Sequence, residues 1–461
     1  MKQPTQALTT AIHPPCGVCA KGLSFRLIVS ASFWPIALST AIFLLTYAGI
    51  LTERLHRSLV VLLGAIAMVA IGTWLAFYSP AQAVEATDTN TIALLLGMMI
   101  FVGLFRATGL FEYVAIRSAK LARGKPWLLF IYLGLATTIV SMILDNVTTV
   151  ILMIPITMSL ADILGIPVIP FLLSEVMLSN IGGVATLIGD PPNVLIGSAA
   201  GLSFTDFVTH LAPIVLITWV VAMGLLLWFF RKPLARKPEN IDRLLAMNER
   251  TAITDPRATR RLLAVLTATV VLFFVHDLIH LESGTVALLG ASVALLLAWP
   301  DPRRALGEVH WDVLLFFIGL FVIVGGLEAA GTLEILATAV ASLTTHGVIV
   351  ASLTILWTSA LMSALVDNVP FTIAMLPILA GIEAQGVSVG PLWWALALGV
   401  GFGGNATPVG ATANVIVIAC SEKSGMPITS KAWIRRGLPT ALAACSVASA
   451  LDILAIRLGL F

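Results

Sequence analysis

Asp145-Asn146-Val147-Thr148-Thr149 is followed by Gly182-Gly183-Val184-Ala185-Thr186-Leu187-Ile188-Gly189-Asp190-Pro191-Pro192-Asn193. The pair returns as Asp367-Asn368-Val369-Pro370 and Gly403-Gly404-Asn405-Ala406-Thr407-Pro408-Val409-Gly410-Ala411-Thr412-Ala413-Asn414. Asp145 to Asp367 is a step of 222 residues; Gly182 to Gly403, Thr186 to Thr407 and Asn193 to Asn414 are steps of 221. A constant offset across two separated motifs marks a duplicated unit. Both copies set polar, helix-breaking residues inside apolar sequence, which in a membrane protein points to a transport site.

Composition places the chain in a bilayer. Of 461 residues, 59% are hydrophobic and 11% charged, against about 25% charged in soluble domains. Mean hydropathy is +1.01. A soluble protein of this make-up would expose more apolar surface than water tolerates. The net charge of +2 implies no nucleic-acid partner. Runs of about 20 apolar residues can span the hydrocarbon. They fall at roughly 33–52, 57–77, 91–110, 170–200 (interrupted) and 211–230, then again at 262–280, 283–299, 311–330, 391–420 (interrupted) and 437–456. Each half also holds an extra apolar stretch, 127–161 or 347–381, with the Asp-Asn pair near its middle.

Lys and Arg collect in cytoplasmic loops. Arg54 and Arg57, then Arg117 to Lys125, the segment 231–261, Arg303 and Arg304, and Lys423 to Arg436 alternate with loops that hold no Lys or Arg. Alternation is strict if each extra stretch enters and leaves on one side. Each half then crosses five times, and an odd number inverts the second copy. The chain reads as an all-α membrane protein, an inverted repeat of two five-span units with both termini outside. Its expected parts are a tail (1–32), a first repeat (33–231), a basic cytoplasmic linker (232–260) and a second repeat (261–461). Re-entrant hairpins and pairs of short spans both fit the extra stretches; hairpins are favoured because they bring the two polar breaks together. Residues 111–123 and 332–344 read as interfacial helices or short connectors.

The motif residues suit a polar solute. Gly182-Gly183 and Gly403-Gly404 loosen a helix, and Pro191-Pro192 and Pro408 interrupt it. Freed carbonyls and new helix N-termini can hold cations, hydroxyls or anions. The expected substrate-binding residues are Asn146, Thr148, Gly183, Thr186, Asn193, Asn368, Thr372, Gly404, Asn405, Thr407 and Asn414. Asp145, Asp190 and Asp367 are the expected proton- or cation-coupling groups, since a carboxyl in hydrocarbon must face a wet cavity or hold a proton. Asp190 has Ala411 as its repeat partner; that asymmetry points to a driving-ion role, the alternative being a cap on the helix starting at Pro191. Glu175 pairs with Leu396 across the repeat and faces either the site or a polar boundary between repeats. Arg106 and Glu328 read as snorkelling charges, His276, Asp277 and His280 as solvated, and Trp393-Trp394 as an interfacial belt. Cys16 and Cys19 are too few for a closed metal site. No catalytic set, metal or cofactor is expected: neither Gly-x-Ser-x-Gly nor His-Glu-x-x-His occurs.

From about residue 33 to 456 these motifs resemble the ion transporter superfamily, in the branch of ArsB-type arsenite permeases, NhaD-type sodium/proton antiporters and the melanosomal P protein. The resemblance implies two re-entrant hairpins, two discontinuous helices, a site at the hairpin tips and alternating access. In the dicarboxylate branch those tips carry Ser-Asn-Thr; here Asp145-Asn146 and Asp367-Asn368 stand there, which suits a neutral or cationic solute better than an anion. The leading expectation is proton-coupled efflux of arsenite or antimonite. The alternatives are a sodium/proton antiporter and an organic-anion carrier. The resemblance also admits a cytoplasmic arsenite-stimulated ATPase on the basic face, a homodimer, and the inner membrane of a prokaryote.

Overall fold

A computed structural model describes residues 19–52, 55–298, 306–335, 347–383 and 389–461. Cys16, Arg54, Arg303, Arg304 and most of the 332–344 connector lie outside them. In chain order the helices are α1 (Cys19–Leu51), α2 (Arg57–Trp74), α3 (Pro80–Glu85), α4 (Thr89–Arg106), α5 (Leu110–Leu121), α6 (Pro126–Ile143), α7 (Asn146–Leu164), α8 (Ile169–Gly183), α9 (Pro191–Ala200) and α10 (Phe204–Leu234). They continue with α11 (Ile241–Ala246), α12 (Pro256–Val275), α13 (Ser283–Ala298), α14 (Trp311–Ala329), α15 (Val348–Leu365), α16 (Asn368–Glu383), α17 (Gly390–Gly403), α18 (Thr412–Lys423) and α19 (Ser430–Arg457). Ten helices among the described residues are long and apolar enough to cross a membrane. Backbone groups in hydrocarbon must be paired, and a helix pairs them within itself.

The duplication is visible in the boundaries. Helix α15 lies 222 residues after α6 at both ends, and α16 starts 222 residues after α7. Contacts between the halves come in matching pairs. Helix α4 packs on α13 as α2 packs on α14, α7 on α18 as α9 on α16, and α10 on its own counterpart α19. Gly97 permits the first: a Cβ there would stand 2.7 Å from the Ala287 carbonyl carbon, and small residues let helix backbones approach in lipid.

The interrupted helices form the centre. Every residue of α8 from Pro170 to Gly183, and of α17 from Pro391 to Gly403, is buried. A helix apolar all round belongs in such a place. By contrast Leu44, Leu45, Ile66, Leu216 and Leu296 on the outer helices are exposed, as lipid contact requires.

Several sequence expectations change. The arms of the two extra stretches are 18 and 19 residues in the first half and 18 and 16 in the second, or about 24–28 Å of helix at 1.5 Å per residue. They are longer than half-spans. Trp393 and Trp394 are buried, with Trp394 stacked on His210 at 4.8 Å, instead of forming an interfacial belt. His276 is also buried, its Nδ1 2.7 Å from the Leu281 carbonyl oxygen, while Asp277 and His280 are exposed. Each tucks into a niche that a one-dimensional hydropathy reading cannot register. Arg106 pairs with Glu308 at 2.8 Å at the surface.

Candidate functional site

The first hairpin turns at Leu144 and Asp145 between α6 and α7. Asp145 is the N-cap of α7, and its carboxylate accepts the Thr148 N–H at 2.8 Å and the Thr148 hydroxyl at 2.5 Å. An Asp three residues ahead of a donor is well placed to cap. Asp367 precedes α16 and accepts the Val369 N–H at 3.2 Å. Pro370 stands where Thr148 does in the first copy and offers no N–H, so the second oxygen of Asp367 is free to accept the Thr412 hydroxyl at 3.0 Å. Asp367 also sits at φ +145°, a region that residues other than Gly rarely adopt.

Each tip is tied to a helix break by the same set of bonds. Ser141 donates to the Ser179 carbonyl at 2.8 Å, and Ser363 to that of Val400 at 2.7 Å. Thr186 donates to Met142, and Thr407 to Ala364. Asn193 donates its amide to the carbonyls of Gly183, Val184 and Thr186 (2.8–3.2 Å), and Asn414 to those of Gly404 and Thr407 (2.8 and 2.9 Å). The loops close tightly: a Cβ on Gly183 would strike the Gly189 carbonyl, and one on Gly404 would meet the Gly410 oxygen at 2.7 Å. Carbonyls freed by the breaks are therefore largely satisfied from within.

Between the breaks lies an amide cluster. The Asn146 amide donates to Asn180 Oδ1 at 3.2 Å, and Asn180 Nδ2 donates to Asn405 at 2.9 Å and Asn414 at 3.0 Å. Asn405 donates to the Met177 carbonyl at 3.1 Å. All four side chains are buried, so the network ties the first hairpin tip and both broken helices together across the two halves.

A cavity of about 30 Å³ opens on the tips, room for one or two waters. Asp145, Asn146, Thr148, Asp190, Asn368 and Thr412 line it, with Arg57, His310 and Phe316. Asp190 is the N-cap of α9, but its side chain makes no cap hydrogen bond, because Pro191 and Pro192 carry no N–H. Instead Asn368 donates to both its oxygens at 3.3 and 3.4 Å, across the two halves. Arg57 reaches in from the start of α2. It donates to the Thr412 hydroxyl at 2.7 Å, lies 4.0 Å from Asp367 and rests over the Phe316 ring at 5.4 Å.

Of the residues the sequence singles out, Asp145, Asp190, Asp367, Asn146, Thr148 and Asn368 thus gather at or beside one cavity. Gly183, Thr186, Asn193, Gly404, Asn405, Thr407 and Asn414 stand behind it in the breaks, and Thr372 bonds back to the Asn368 carbonyl at 2.7 Å. Glu175 is fully buried away from the cavity, accepting the Thr157 hydroxyl at 2.7 Å while its Oε2 has no partner. Sequence reasoning missed Asn180 and His310 and took Arg57 only as a loop charge. A signal existed: their repeat counterparts are Gly401, Asp88 and Ile279, the same asymmetry that marks Asp190.

Comparison with known proteins bears on the whole chain. A profile of the family described as citrate transporter, CitMHS, matches residues 47–399. An uncharacterized transporter of Mycobacterium tuberculosis is 41% identical over 406 residues, 87% of this chain and 94% of the relative. The human P protein is 33% identical over 89% of this chain, which spans 59% of that longer protein. In fold the chain is similar to the crystal structure of the YdaH transporter of Alcanivorax borkumensis, with a TM-score of 0.56 at 13% identity, covering 88% of this chain and 99% of that one. The chain belongs to the citrate transporter family, CitMHS, of the ion transporter superfamily: it is a multi-pass secondary transporter of the membrane, not an enzyme.

Proposed function

We propose that this transporter is a proton-coupled antiporter in which Asp145, Asp190 and Asp367 exchange protons for a small neutral or cationic solute. The observation that carries the reading is the shared cavity, where carboxyls from both halves meet a single guanidinium. Like charges in one low-dielectric site cannot all ionise at no cost, so occupancy by protons and by solute is linked. The same balance disfavours a free citrate trianion, the solute in the family's description, and an organic-anion carrier in general.

Arsenite and antimonite remain the first solutes to test. They are uncharged trihydroxy species at neutral pH, and Asn146, Thr148, Asn368 and Thr412 offer amide and hydroxyl partners at the cavity wall. Sodium or lithium is the second reading, favoured by the carboxylates themselves. It ranks below because, among the described residues, no three acidic, His or Cys side chains converge closely enough to hold a metal ion.

The paired contacts between halves support an inverted repeat. A contact that appears twice with partners exchanged is what a two-fold axis produces, and five crossings per half turn that axis into the membrane plane. Residues 33–231 and 261–461 would be the two units, 232–260 the cytoplasmic linker, and both termini external. Arg57 and His310 come from helices outside the hairpins and breaks, so they would gate the cavity from one side while the tips move. A homodimer and an ATPase on the basic face extend the same reading.

Everted vesicles with an imposed pH gradient test it. Arsenite, antimonite, sodium, lithium and citrate are added in turn and proton movement is followed. Arsenite or antimonite should move protons. A response to sodium or lithium alone would transfer the assignment to the second reading, and a response to citrate alone would overturn both.

A further inference from the structure

A second cavity, of about 450 Å³, lies where α10 and α19 meet the start of α8. That is within the size range of small-ligand sites. Lys232 and Arg236 from the end of α10 and Arg436 from the first turns of α19 line it, and no carboxylate does. Among the described residues none of these three cations forms an ion pair. Arg436 is held in place by its own helix, donating to the Ala432 carbonyl at 2.9 Å, and by the Phe230 ring 5.1 Å from its guanidinium carbon. The N-terminus of α8 also borders the cavity through Ile169 and Pro170, and its partial positive charge adds to theirs.

We infer that this cavity binds the phosphate headgroup of an anionic phospholipid. The level fits: the apolar run of α10 ends at Phe230, and Arg231 and Lys232 follow at once, so the cations stand where headgroups begin. The lining fits too, because Ile169, Pro170, Phe230 and Pro233 give an apolar wall for the glycerol and first methylenes, which a free phosphate would leave unused. Basic pockets between spanning helices recognise lipid headgroups by this combination. The duplicated framework does not produce the charges as a by-product. The counterparts of Lys232 and Arg436 are Ile453 and Val215.

Native mass spectrometry of the delipidated protein tests the assignment without any transported solute. The probes are phosphatidylglycerol, cardiolipin, phosphatidylcholine and inorganic phosphate. The wild type should retain phosphatidylglycerol or cardiolipin about tenfold better than phosphatidylcholine. The Lys232→Gln/Arg236→Gln double variant and Arg436→Gln should lose that preference, and Lys423→Gln, an exposed cation elsewhere, should keep it. Arg436→Gln removes packing on Phe230, so the double variant at exposed positions carries the decision if Arg436→Gln does not fold. Equal retention of the zwitterionic lipid, unchanged selectivity in the double variant, or displacement of lipid by millimolar phosphate would each overturn the proposal.

Discussion

At the scale of single residues, the three carboxyls are not equivalent. Both oxygens of Asp145 are engaged by Thr148, and Asp367 shares its second oxygen with Thr412 beside Arg57, whereas Asp190 has only the Asn368 amide. Asp190→Asn should therefore abolish proton movement in the vesicle assay, and Asp145→Asn and Asp367→Asn should lower it at least about tenfold, the equivalent of 1.4 kcal/mol. Glu328→Gln, at an exposed residue on α14, should leave it near wild type; equal activity in all four proteins would remove the carboxyls from coupling. Asn180 makes a separate prediction, since its truncation strands the buried acceptors of Asn405 and Asn414. Asn180→Ala should cost about 1–3 kcal/mol, read as a lowered thermal midpoint in detergent, and an unchanged midpoint would show that water replaces the amide.

At the scale of elements, the breaks depend on close backbone approach. Gly404→Ala should impair transport and expression, because its new Cβ meets the Gly410 carbonyl, while Gly390→Ala, with nothing within 4 Å, should be tolerated. Parallel expression and flux measurements decide it; equal tolerance would mean the loop can open. The elements themselves were legible in the sequence. Hydropathy marked the spans, and Gly and Pro marked where α8 and α17 stop, because those signals are local in the chain. The Asp-Asn pairs announced the hairpin turns for the same reason. What stayed hidden depends on approach in space: the length of the hairpin arms, the burial of Trp393, Trp394 and His276, and the engagement of Asn193 and Asn414 by their own loops. An amide reads the same in sequence whether it faces a solute or a neighbouring carbonyl. Asn180 was hidden because its partners come from three other motifs.

At the scale of the whole molecule, the linker is docked, not loose. The Glu239 N–H donates to the Leu164 carbonyl at 3.0 Å at the end of α7, and the Thr254 N–H to that of Thr108 at 3.1 Å. Between them Glu249 meets Lys120 at 2.6 Å and Arg117 at 3.2 Å on α5. The hydrogen bond from Lys120, with a bond from its own backbone N–H, lowers the Glu249 carboxyl from its ordinary 4.5 to about 2. A depressed carboxyl stabilises the docked form above its unfolded value, and that contribution fades as pH falls from about 4.5 towards 2. A spin label at position 246 should gain mobility over that window and with added salt, and Glu249→Gln should flatten the pH response; a label indifferent to both pH and salt would dismiss the clamp. The asparagine cluster has a different consequence. Amides neither titrate nor respond much to ionic strength, so the joint between α8 and the α17–α18 break should keep its shape through every loading state of the acids around it. Cargo would then ride on a rigid keel, and whatever swings during the cycle must hinge farther out.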